Sequence, residues 1–398
     1  MGMRTLVFVI WLSVALVPSA ALSSGNPASG LRKIKDLVVY EDPLFYCAFP
    51  SVIQRPDGEL VLAFRRAPDR RSMGETGNSH TDSNSQLVLV RSRDGGNTWT
   101  SKPELIYSHP FGGSQDPCLL QLKNGTMLCS SYGWALFPTG TPQESARFSR
   151  VGNYVFMGGW LLASKNGGVS WGDPIIPATV PGEASITPWG RPIPAYNRGA
   201  LCEDRNGRLL WVVPSSGEKP ADPLAVHLMV STNSGRTWDY SAVVARDPKV
   251  GFNEASLLET RSGALIAFIR TDNFKDHTVI ARSTDGGRTF GPWQDAGFQG
   301  HPHHAIKLPD RRVVLVYGYR HPPFGVRARL LDPECSDLPL ANESKSCPEV
   351  VLRDDGGNGD LGYPWVVTAG KNKVLVVYYF NKQNGNRHIA GTICEVCK

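Results

Sequence analysis

One eight-residue pattern occurs four times in this chain of 398 residues, and it limits the fold more than any other feature. The copies are SRDGGNTW at residues 92–99, SKNGGVSW at 164–171, STNSGRTW at 231–238 and STDGGRTF at 283–290. Glycine supplies the positive φ of a tight turn, and an aromatic residue at a fixed offset can anchor that turn. Because every copy follows a strand-like run, the pattern predicts a repeat architecture built from hairpins.

A longer unit contains these turns. Six stretches consist of a short apolar strand, a turn and a second apolar strand, at residues 50–64, 117–131, 199–213, 255–269, 303–317 and 364–378. In the first four, a third β-rich run leads into the eight-residue pattern. Six units of about four strands, none able to bury both faces alone, predict an all-β, six-bladed β-propeller of four-stranded antiparallel blades. A β-sandwich is the alternative architecture, but the regular recurrence argues against it.

The N-terminal residues predict export and ring closure. Residues 1–21 have the charged start, the apolar run and the small residues of a secretory signal peptide. Residues 22–36 are interpreted as a linker and residues 37–398 as a single propeller domain, whose first strand, at 37–40, would pair with the last blade. The apolar run is too short to span a membrane. We therefore expect a secreted protein, extracellular or, in a bacterium, periplasmic.

Composition narrows the partners and the redox state. The net charge is +6, and no Lys/Arg block with interleaved aromatic residues occurs, so nucleic acid is not an expected partner. We expect a monomer. Export would permit disulfides. Cys335 and Cys347 flank a polar insertion and are predicted to pair, while Cys118 and Cys129 could face each other across a hairpin.

Polar residues collect at two equivalent positions of the six units. The common origin is the turn residue, which is Gly58, Gly125, Gly207, Gly263, Arg311 and Asn372 in chain order. Nine residues earlier lie Phe49, Asp116, Arg198, Glu254, Pro302 and Tyr363, and seven residues later lie Arg65, Tyr132, Pro214, Arg270, Gly318 and Tyr379. In an antiparallel hairpin both positions fall at the same end, which we call the mouth. Arg320 follows two residues after the fifth of the later set and shares its side of the strand.

These residue types suit a site for an anionic ligand. The planar guanidinium of arginine binds a carboxylate bidentately, so an arginine cluster selects anions. A tyrosine beside a glutamate is a candidate nucleophile, because the carboxylate can take the phenolic proton. No cofactor is expected, and His301, His303 and His304 lack an acidic residue at ligand spacing, so no metal is expected either.

The chain resembles the sialidase (neuraminidase) superfamily of glycoside hydrolases over roughly residues 40–393. The repeated pattern is similar to that family's Asp box, a structural turn on the outside of the blades. NEASLLETRSGALIAFIR, at residues 253–270, is similar to the segment in which a glutamate is followed by an arginine of the triad that binds the substrate carboxylate. GYPWVV, at residues 362–367, is similar to the segment with the tyrosine nucleophile, and Asp116-Pro117 matches an active-site motif.

This resemblance implies a retaining exo-glycosidase that releases a terminal acidic sugar, a sialic acid, from a glycan. Tyr363 would attack the anomeric carbon, Glu254 would act as its base, and Arg270 would bind the sugar carboxylate. Such enzymes are the tyrosine-nucleophile exception to the usual two-carboxylate scheme.

The first blade departs from the family pattern. CAFP, at residues 47–50, puts Ala48 where sialidases carry the first arginine of the triad. The carboxylate would then be held by arginines from other positions, which are Arg270 with either Arg320 or Arg327, helped by Arg65 or Arg198. The resemblance places the general acid on the loop at residues 67–86, where Asp82 fits best and Asp69 and His80 are alternatives.

Two other functions remain open from the sequence. The loss at Ala48 suits a carbohydrate-binding propeller without catalysis. A hydrolase or lyase for uronic-acid glycans would keep the arginine cluster and change the sugar.

Overall fold

The structure, a computed structural model, describes residues 30–75, 79–142, 144–217, 219, 222–340, 347–382 and 385–397. These residues form six four-stranded antiparallel sheets, which confirms the predicted six-bladed β-propeller. The helical structure within them consists of two 3₁₀ turns, at Arg70–Met73 and Ser79–Thr81. The signal peptide predicted at residues 1–21 lies outside the described residues.

The blades follow one another in chain order. The first blade holds β2 (Phe45–Gln54), β3 (Leu60–Pro68), β4 (Gln86–Ser92) and β5 (Glu104–Tyr107). The second holds β6 (Gly113–Gln121), β7 (Met127–Leu136), β8 (Arg150–Val151) and β9 (Tyr154–Ser164), with β8 outermost. The third holds β10 (Cys202–Glu203), β11 (Leu209–Ser215), β12 (Ala225–Ser231) and β13 (Asp239–Ala245). The fourth holds β14 (Gly251–Glu259), β15 (Leu265–Asp272), β16 (His277–Ser283) and β17 (Gln294–Gln299). The fifth holds β18 (His303–Lys307), β19 (Val313–Tyr319), β20 (Gly325–Leu331) and β21 (Val350–Arg353).

The sixth blade joins the two ends of the described chain. It holds β22 (Gly362–Thr368), β23 (Lys373–Asn381) and β24 (Arg387–Val396), and its fourth strand is β1 (Leu31–Tyr40). β1 pairs antiparallel with β24, from Leu31 opposite Val396 to Tyr40 opposite Ile389. Residues 31–36, which we expected in the linker, are therefore part of the sheet. Charged side chains at four of these six positions masked the strand in the sequence.

Each blade buries both faces against its neighbours. Along β3, Leu62 packs in one cluster with Val377 of the sixth blade, whereas Val61 packs in another with Met127 of the second blade. Successive side chains of a strand point to opposite faces, so one strand serves two blade interfaces. This explains why the strands are continuous apolar runs rather than alternating ones.

The Asp boxes are closed by side-chain hydrogen bonds. In the first box, Ser92 Oγ donates to Asp94 Oδ1 at 2.9 Å, and the Thr98 hydroxyl donates to Asp94 Oδ2 at 2.7 Å. Asn166 and Asn233 take the place of the aspartate in the second and third boxes, and each amide donates to the hydroxyl at the seventh position at 2.8 Å. Because an amide serves as well as a carboxylate, the boxes are structural turns.

The fifth residue of a box approaches the preceding blade closely. A Cβ added to Gly96 would lie 2.6 Å from Leu375 of the sixth blade, and one added to Gly287 would lie 2.5 Å from Leu228 of the third. The first box begins at Ser92, which pairs with Leu60 at the end of the blade opposite the mouth. The boxes therefore fasten neighbouring blades together at that end.

This packing separates two glycine substitutions that are otherwise alike. Gly96 and Gly125 both have φ of 86°, but a Cβ on Gly125 would meet no atom within 4 Å. We expect Gly125→Ala to lower the free energy of unfolding by about 1 kcal/mol, from backbone strain alone. Gly96→Ala should lower it by roughly 2–4 kcal/mol, because the added methyl must also displace the buried Leu375 side chain. Urea unfolding measures the free energy of unfolding of both variants. An equal decrease in the two would contradict the role of Gly96 in fastening neighbouring blades.

The predicted pair of Cys118 and Cys129 does not form in this structure. Cys335 is a free thiol, buried in the same apolar cluster as Cys347. Cys118 pairs with Ser130, so it is one residue out of register with Cys129, and the two thiols lie on opposite faces of the blade. Within the residues that the structure describes, no helix has the length and apolar character needed to cross a membrane.

Candidate functional site

The two predicted polar positions meet at one end of the blades. The strand registers pair Ala48 with Arg65, Gln115 with Tyr132, Asn253 with Arg270 and Gly362 with Tyr379. In each pair the first residue directly precedes the position nine residues before the turn origin. The positions before and after the turn are therefore neighbours, as the sequence predicted.

A β-bulge shapes the mouth in four of the six blades. The ladder register shifts at this point in blades one, two, four and six. The bulged residues have positive φ, at 57° for Phe49, 36° for Asp116, 27° for Glu254 and 50° for Tyr363. Side chains other than glycine rarely adopt this conformation, which costs of order 1–3 kcal/mol per residue. Bulges re-aim side chains, and strain at equivalent positions of four blades marks the mouth as a candidate functional site.

A tyrosine, a glutamate and an arginine from three strands form one hydrogen-bonded group. Tyr363 Oη donates to Glu254 Oε1 at 2.6 Å, and Arg270 Nη1 donates to Glu254 Oε2 at 2.8 Å. Arg270 Nη1 also lies 3.3 Å from Tyr363 Oη. The nucleophile and base candidates are thus within direct proton-transfer distance.

The charges in this group favour a neutral phenol beside an ionised carboxylate. Burial would raise the pKa of Glu254, but the Arg270 charge and the hydrogen bond from Tyr363 outweigh it and lower that pKa. Burial, together with the Glu254 charge, raises the pKa of Tyr363. Glu254 can therefore accept the phenolic proton once the phenol begins to react.

Two partly exposed arginines at the rim interact with this pair. The Arg270 side chain is 22% exposed, and Arg320 is half-buried, with Nε donating to the Gly359 carbonyl at 2.6 Å. Arg320 interacts electrostatically with Tyr363, Arg270 and Glu254. Their positions allow both arginines to contact an anionic group bound above Tyr363.

Arg198 lies beneath the mouth rather than on its surface. It is 3% exposed, and Nη2 donates to the carbonyls of Pro50 at 2.9 Å and Tyr363 at 3.2 Å. Its guanidinium carbon lies 4.9 Å from the Trp365 ring centroid. The geometry fits a residue that positions the Tyr363 backbone, not the substrate ligand that the sequence suggested.

Arg65 and Asp116 are also buried. Arg65 is fully buried and lies opposite Ala48 on the neighbouring strand, near the ring of Tyr46. Asp116 accepts a hydrogen bond from Tyr132 Oη at 2.6 Å. Burial raises the pKa of Asp116 to about 7. The carboxyl group of Asp116, whose pKa is about 7, and the buried guanidinium of Arg65 therefore form the floor of the mouth on the side of blades one and two.

The three candidates for the general acid all have partners. Asp82 accepts two hydrogen bonds from Arg70, at 2.5 and 3.2 Å, and a third from the Asn84 backbone. Asp69 caps the 3₁₀ turn and pairs with the arginine two residues later. Burial lowers the pKa of His80 to about 4, so its imidazole is neutral near pH 7. As the structure stands, Asp82 is a bound counter-ion.

Arg327 is placed away from the candidate nucleophile, so Arg320 is the arginine of that strand pair near Tyr363. Arg327 is 3% exposed, donates to the Pro323 carbonyl at 3.1 Å and pairs with Glu349 at 3.4 Å. These contacts fit a structural role within the fifth blade.

One polar cluster at the mouth was not found from the sequence. Asp360 accepts hydrogen bonds from Tyr46 and Tyr379, each at 2.9 Å, and from Arg387 at 2.9 Å. Tyr379 occupies a repeat position, so the sequence predicted that it lies at the mouth. Asp360 lies on the loop before β22, outside the repeat frame, so no spacing rule pointed to it.

The three histidines near β18 are held by protein contacts. His304 stacks on Trp365 with ring centroids 4.0 Å apart, and His303 Nε2 lies 2.8 Å from the Thr278 hydroxyl. His301 pairs with Asp276 at 3.4 Å. In the part of the chain that the structure describes, no group of three or more His, Cys, Asp or Glu side chains is arranged to hold a metal ion.

Sequence comparison relates this chain to a repeat family and to a sialidase. A family profile described as a BNR repeat-like domain matches residues 146–376. A sialidase of Micromonospora viridifaciens is 25% identical over 260 residues, which are 61% of this chain and 35% of the relative. The chain thus spans about a third of that relative's length.

Solved structures resemble the propeller at two levels of similarity. A Dyadobacter fermentans protein described as of unknown function is 54% identical, with coverage of 92% of this chain and 99% of that chain, at a TM-score of 0.88. The Hadza microbial sialidase Hz136 is 16% identical, with coverage of 88% and 66%, at a TM-score of 0.62. The second likeness shows a shared fold.

Proposed function

The chain belongs to the BNR repeat-like domain family, and from that membership we propose that it is a secreted, retaining exo-glycosidase that releases a terminal sialic acid. One observation carries the proposal, the 2.6 Å contact between the Tyr363 phenol and the Glu254 carboxylate at a strained mouth. The sialidase among its relatives supports the choice of sugar.

The proposed reaction has two steps. Tyr363 Oη attacks the anomeric carbon while Glu254 takes its proton, the bond to the leaving oxygen breaks, and the general acid protonates that oxygen. Water then attacks the same carbon and gives a proton back to the general acid, the bond to Tyr363 breaks, and the phenol regains its proton from Glu254. Two displacements at one carbon retain its configuration. A neutral phenol suits a sugar whose own carboxylate would repel an anionic nucleophile.

Arg270 and Arg320 are the proposed ligands of the sugar carboxylate. Both are partly exposed and interact with the Tyr363 phenol, whereas Arg65 and Arg198 are buried. Two guanidinium groups can each bind a carboxylate oxygen, so Ala48 does not remove the basis for anion recognition. Buried Arg65 contributes positive potential rather than a direct contact.

Asp82 is the proposed general acid, on one condition. Both of its oxygens now accept hydrogen bonds, two of them from Arg70. Protonating the leaving oxygen from Asp82 requires Arg70 to withdraw when substrate binds. Asp69 forms an ion pair with Arg71. His80 is neutral near pH 7, and a neutral imidazole is a poor proton donor.

A substrate panel tests the function. The purified protein is incubated with a fluorogenic α-sialoside, a sialylated oligosaccharide and matched uronides, and the released sugar and its first-formed anomer are followed by NMR. We expect free sialic acid, released first as the α-anomer. Release of uronic acid would transfer the proposal to uronic-acid glycans, which the arginine pair also suits. Binding of sialosides without any release would identify a non-catalytic carbohydrate-binding propeller.

A further inference from the structure

A groove on the second blade has features that the proposed reaction does not use. Its volume is about 490 Å³, and its lining includes His109, Trp160, Ile176, Thr187, Trp189 and Arg191. It lies beyond β9, the third strand from the propeller axis, and the segment between the second and third blades forms its outer wall. A concave site of this size can hold a small ring-shaped ligand.

Large apolar side chains are exposed along this groove. Trp189 is 53% exposed and Phe111 is 67% exposed, and their rings meet edge to face with centroids 5.8 Å apart. Trp189 lies in a turn closed by a hydrogen bond from Gly190 N–H to the Thr187 carbonyl at 2.9 Å. Thr187 N–H donates to the Arg191 carbonyl at 2.8 Å. An exposed indole on a fixed turn is a platform for stacking, because little conformational entropy is lost when a ligand binds to it.

Two polar atoms of the wall lack partners. Trp160 is 2% exposed and Thr187 is 4% exposed. Neither Trp160 Nε1 nor Thr187 Oγ1 has a hydrogen-bond partner among the described residues. An unpaired buried polar group costs about 1–3 kcal/mol, so such groups call for an explanation. Both atoms have almost no exposed surface in this structure, so a ligand with hydroxyl groups would satisfy them after a small rotation of the two side chains.

We propose that this groove is a second carbohydrate-binding site, which takes a neutral pyranose ring. The apolar C–H face of the sugar lies on Trp189, and its hydroxyls bond to Thr187 Oγ1 and Trp160 Nε1. The combination of an aromatic platform with a few fixed polar atoms is what a sugar ring requires, since one face is apolar and the edge is polar. Arg191 is the one charged side chain of the lining, so the groove lacks the arginine pair of the mouth.

The groove is connected to the mouth through the second blade. Gly159 of its lining pairs with Tyr132, whose phenol bonds to Asp116 in the mouth. Two strand spacings separate them, a distance of roughly 10 Å. A glycan whose terminal sugar occupies the mouth could therefore reach the groove with a residue further along its chain. This placement rests on the proposed function, whereas sugar binding in the groove does not.

Binding of neutral sugars tests the site. Lactose and N-acetyllactosamine, which carry no acidic sugar, are titrated into the wild type, Trp189→Ala and Thr187→Val, with Tyr240→Ala as an exposed aromatic control outside the groove. We expect wild-type binding, a Kd raised about tenfold or more in Trp189→Ala, and an unchanged Kd in Tyr240→Ala. Thr187→Val, which keeps the side-chain shape, should raise the Kd several-fold, and circular dichroism checks that each variant folds.

Three outcomes would overturn this site. They are a wild type that binds neither sugar, an unchanged Kd in Trp189→Ala and Thr187→Val, and light scattering that shows a wild-type oligomer dispersed by Trp189→Ala. The last result would mean that Trp189 and Phe111 form a contact with a second copy of the chain. Neutral-sugar binding with these variant effects, in a protein that releases no sialic acid, would sustain the groove and reject the proposed function alone.

Discussion

Replacing Tyr363 by phenylalanine should lower kcat for a sialoside by at least about a thousandfold, because the variant lacks the attacking oxygen. The fold should persist. Glu254 keeps its ion pair with Arg270 at 2.8 Å when the phenol is gone, so no buried charge is left without a partner. The sugar should still bind, since the two rim arginines are unchanged.

Tyr378→Phe is the matched control. Tyr378 is a fully buried tyrosine on the adjacent strand, and its phenol hydrogen-bonds to Thr392 at 2.7 Å. It packs in the cluster shared by the fifth and sixth blades, away from the Tyr363 phenol. Its turnover should match the wild type, while both variants lose a phenol hydroxyl that makes two hydrogen bonds, and with it a similar amount of stability. Undiminished turnover in Tyr363→Phe would rule out the tyrosine nucleophile.

Asp116 should make the protein less stable as pH rises from about 4 to about 7. Burial raises the pKa of Asp116 to about 7, from an ordinary value of 3.8. The Glu254 charge adds to this shift, while Arg198, Arg65 and the hydrogen bond from Tyr132 oppose it. Below the ordinary value, both the folded and the unfolded chain carry the proton. Between the two values the unfolded chain releases it first, so the folded state loses up to about 4 kcal/mol across this window.

Asp116→Asn should remove that dependence. The amide cannot ionise, and its oxygen can still accept the hydrogen bond from Tyr132. Urea unfolding at pH 4.5 and pH 7 measures the change in free energy of unfolding for each variant. Asp360→Asn is the control of opposite sign, because Arg387 and two tyrosines overcome burial and hold the pKa of Asp360 below its usual value. Its contribution is lost as pH falls. If the wild type and Asp116→Asn gave parallel pH profiles, the buried carboxyl would not be the cause.

The repeat spacing predicted the fold and the end of the blades where polar residues meet. A hairpin of fixed length fixes which residues lie opposite each other, so counting from the turn placed Glu254, Arg270 and Tyr363 at one end. Counting does not reveal the direction of a long side chain. Arg198 precedes the two-residue strand β10, and its side chain turns inward to the Tyr363 carbonyl. Arg327, which the resemblance offered as an alternative to Arg320, pairs with Glu349.

Other features depend on contacts that sequence spacing does not encode. The bulges at the mouth appear only as register shifts between paired strands. The partner of Asp82 is Arg70, twelve residues earlier in a short 3₁₀ turn, and no periodicity links them. Asp360 accepts hydrogen bonds from Tyr46 in the first blade and Tyr379 in the sixth, which are far apart in the sequence. Each of these required three-dimensional placement.

The shared sixth blade has a consequence for when the site can exist. Tyr363 lies on β22 of the blade that β1 completes, whereas Glu254 lies two blades earlier, on β14. β1 and β24 are nearly the whole described chain apart, and contacts at such separation form late in folding. A growing chain emerging from the ribosome therefore carries the glutamate long before it carries its tyrosine. A partly made chain that ends before the sixth blade therefore lacks the proposed nucleophile, and the pair of Tyr363 and Glu254 is assembled only after β22 has been synthesised.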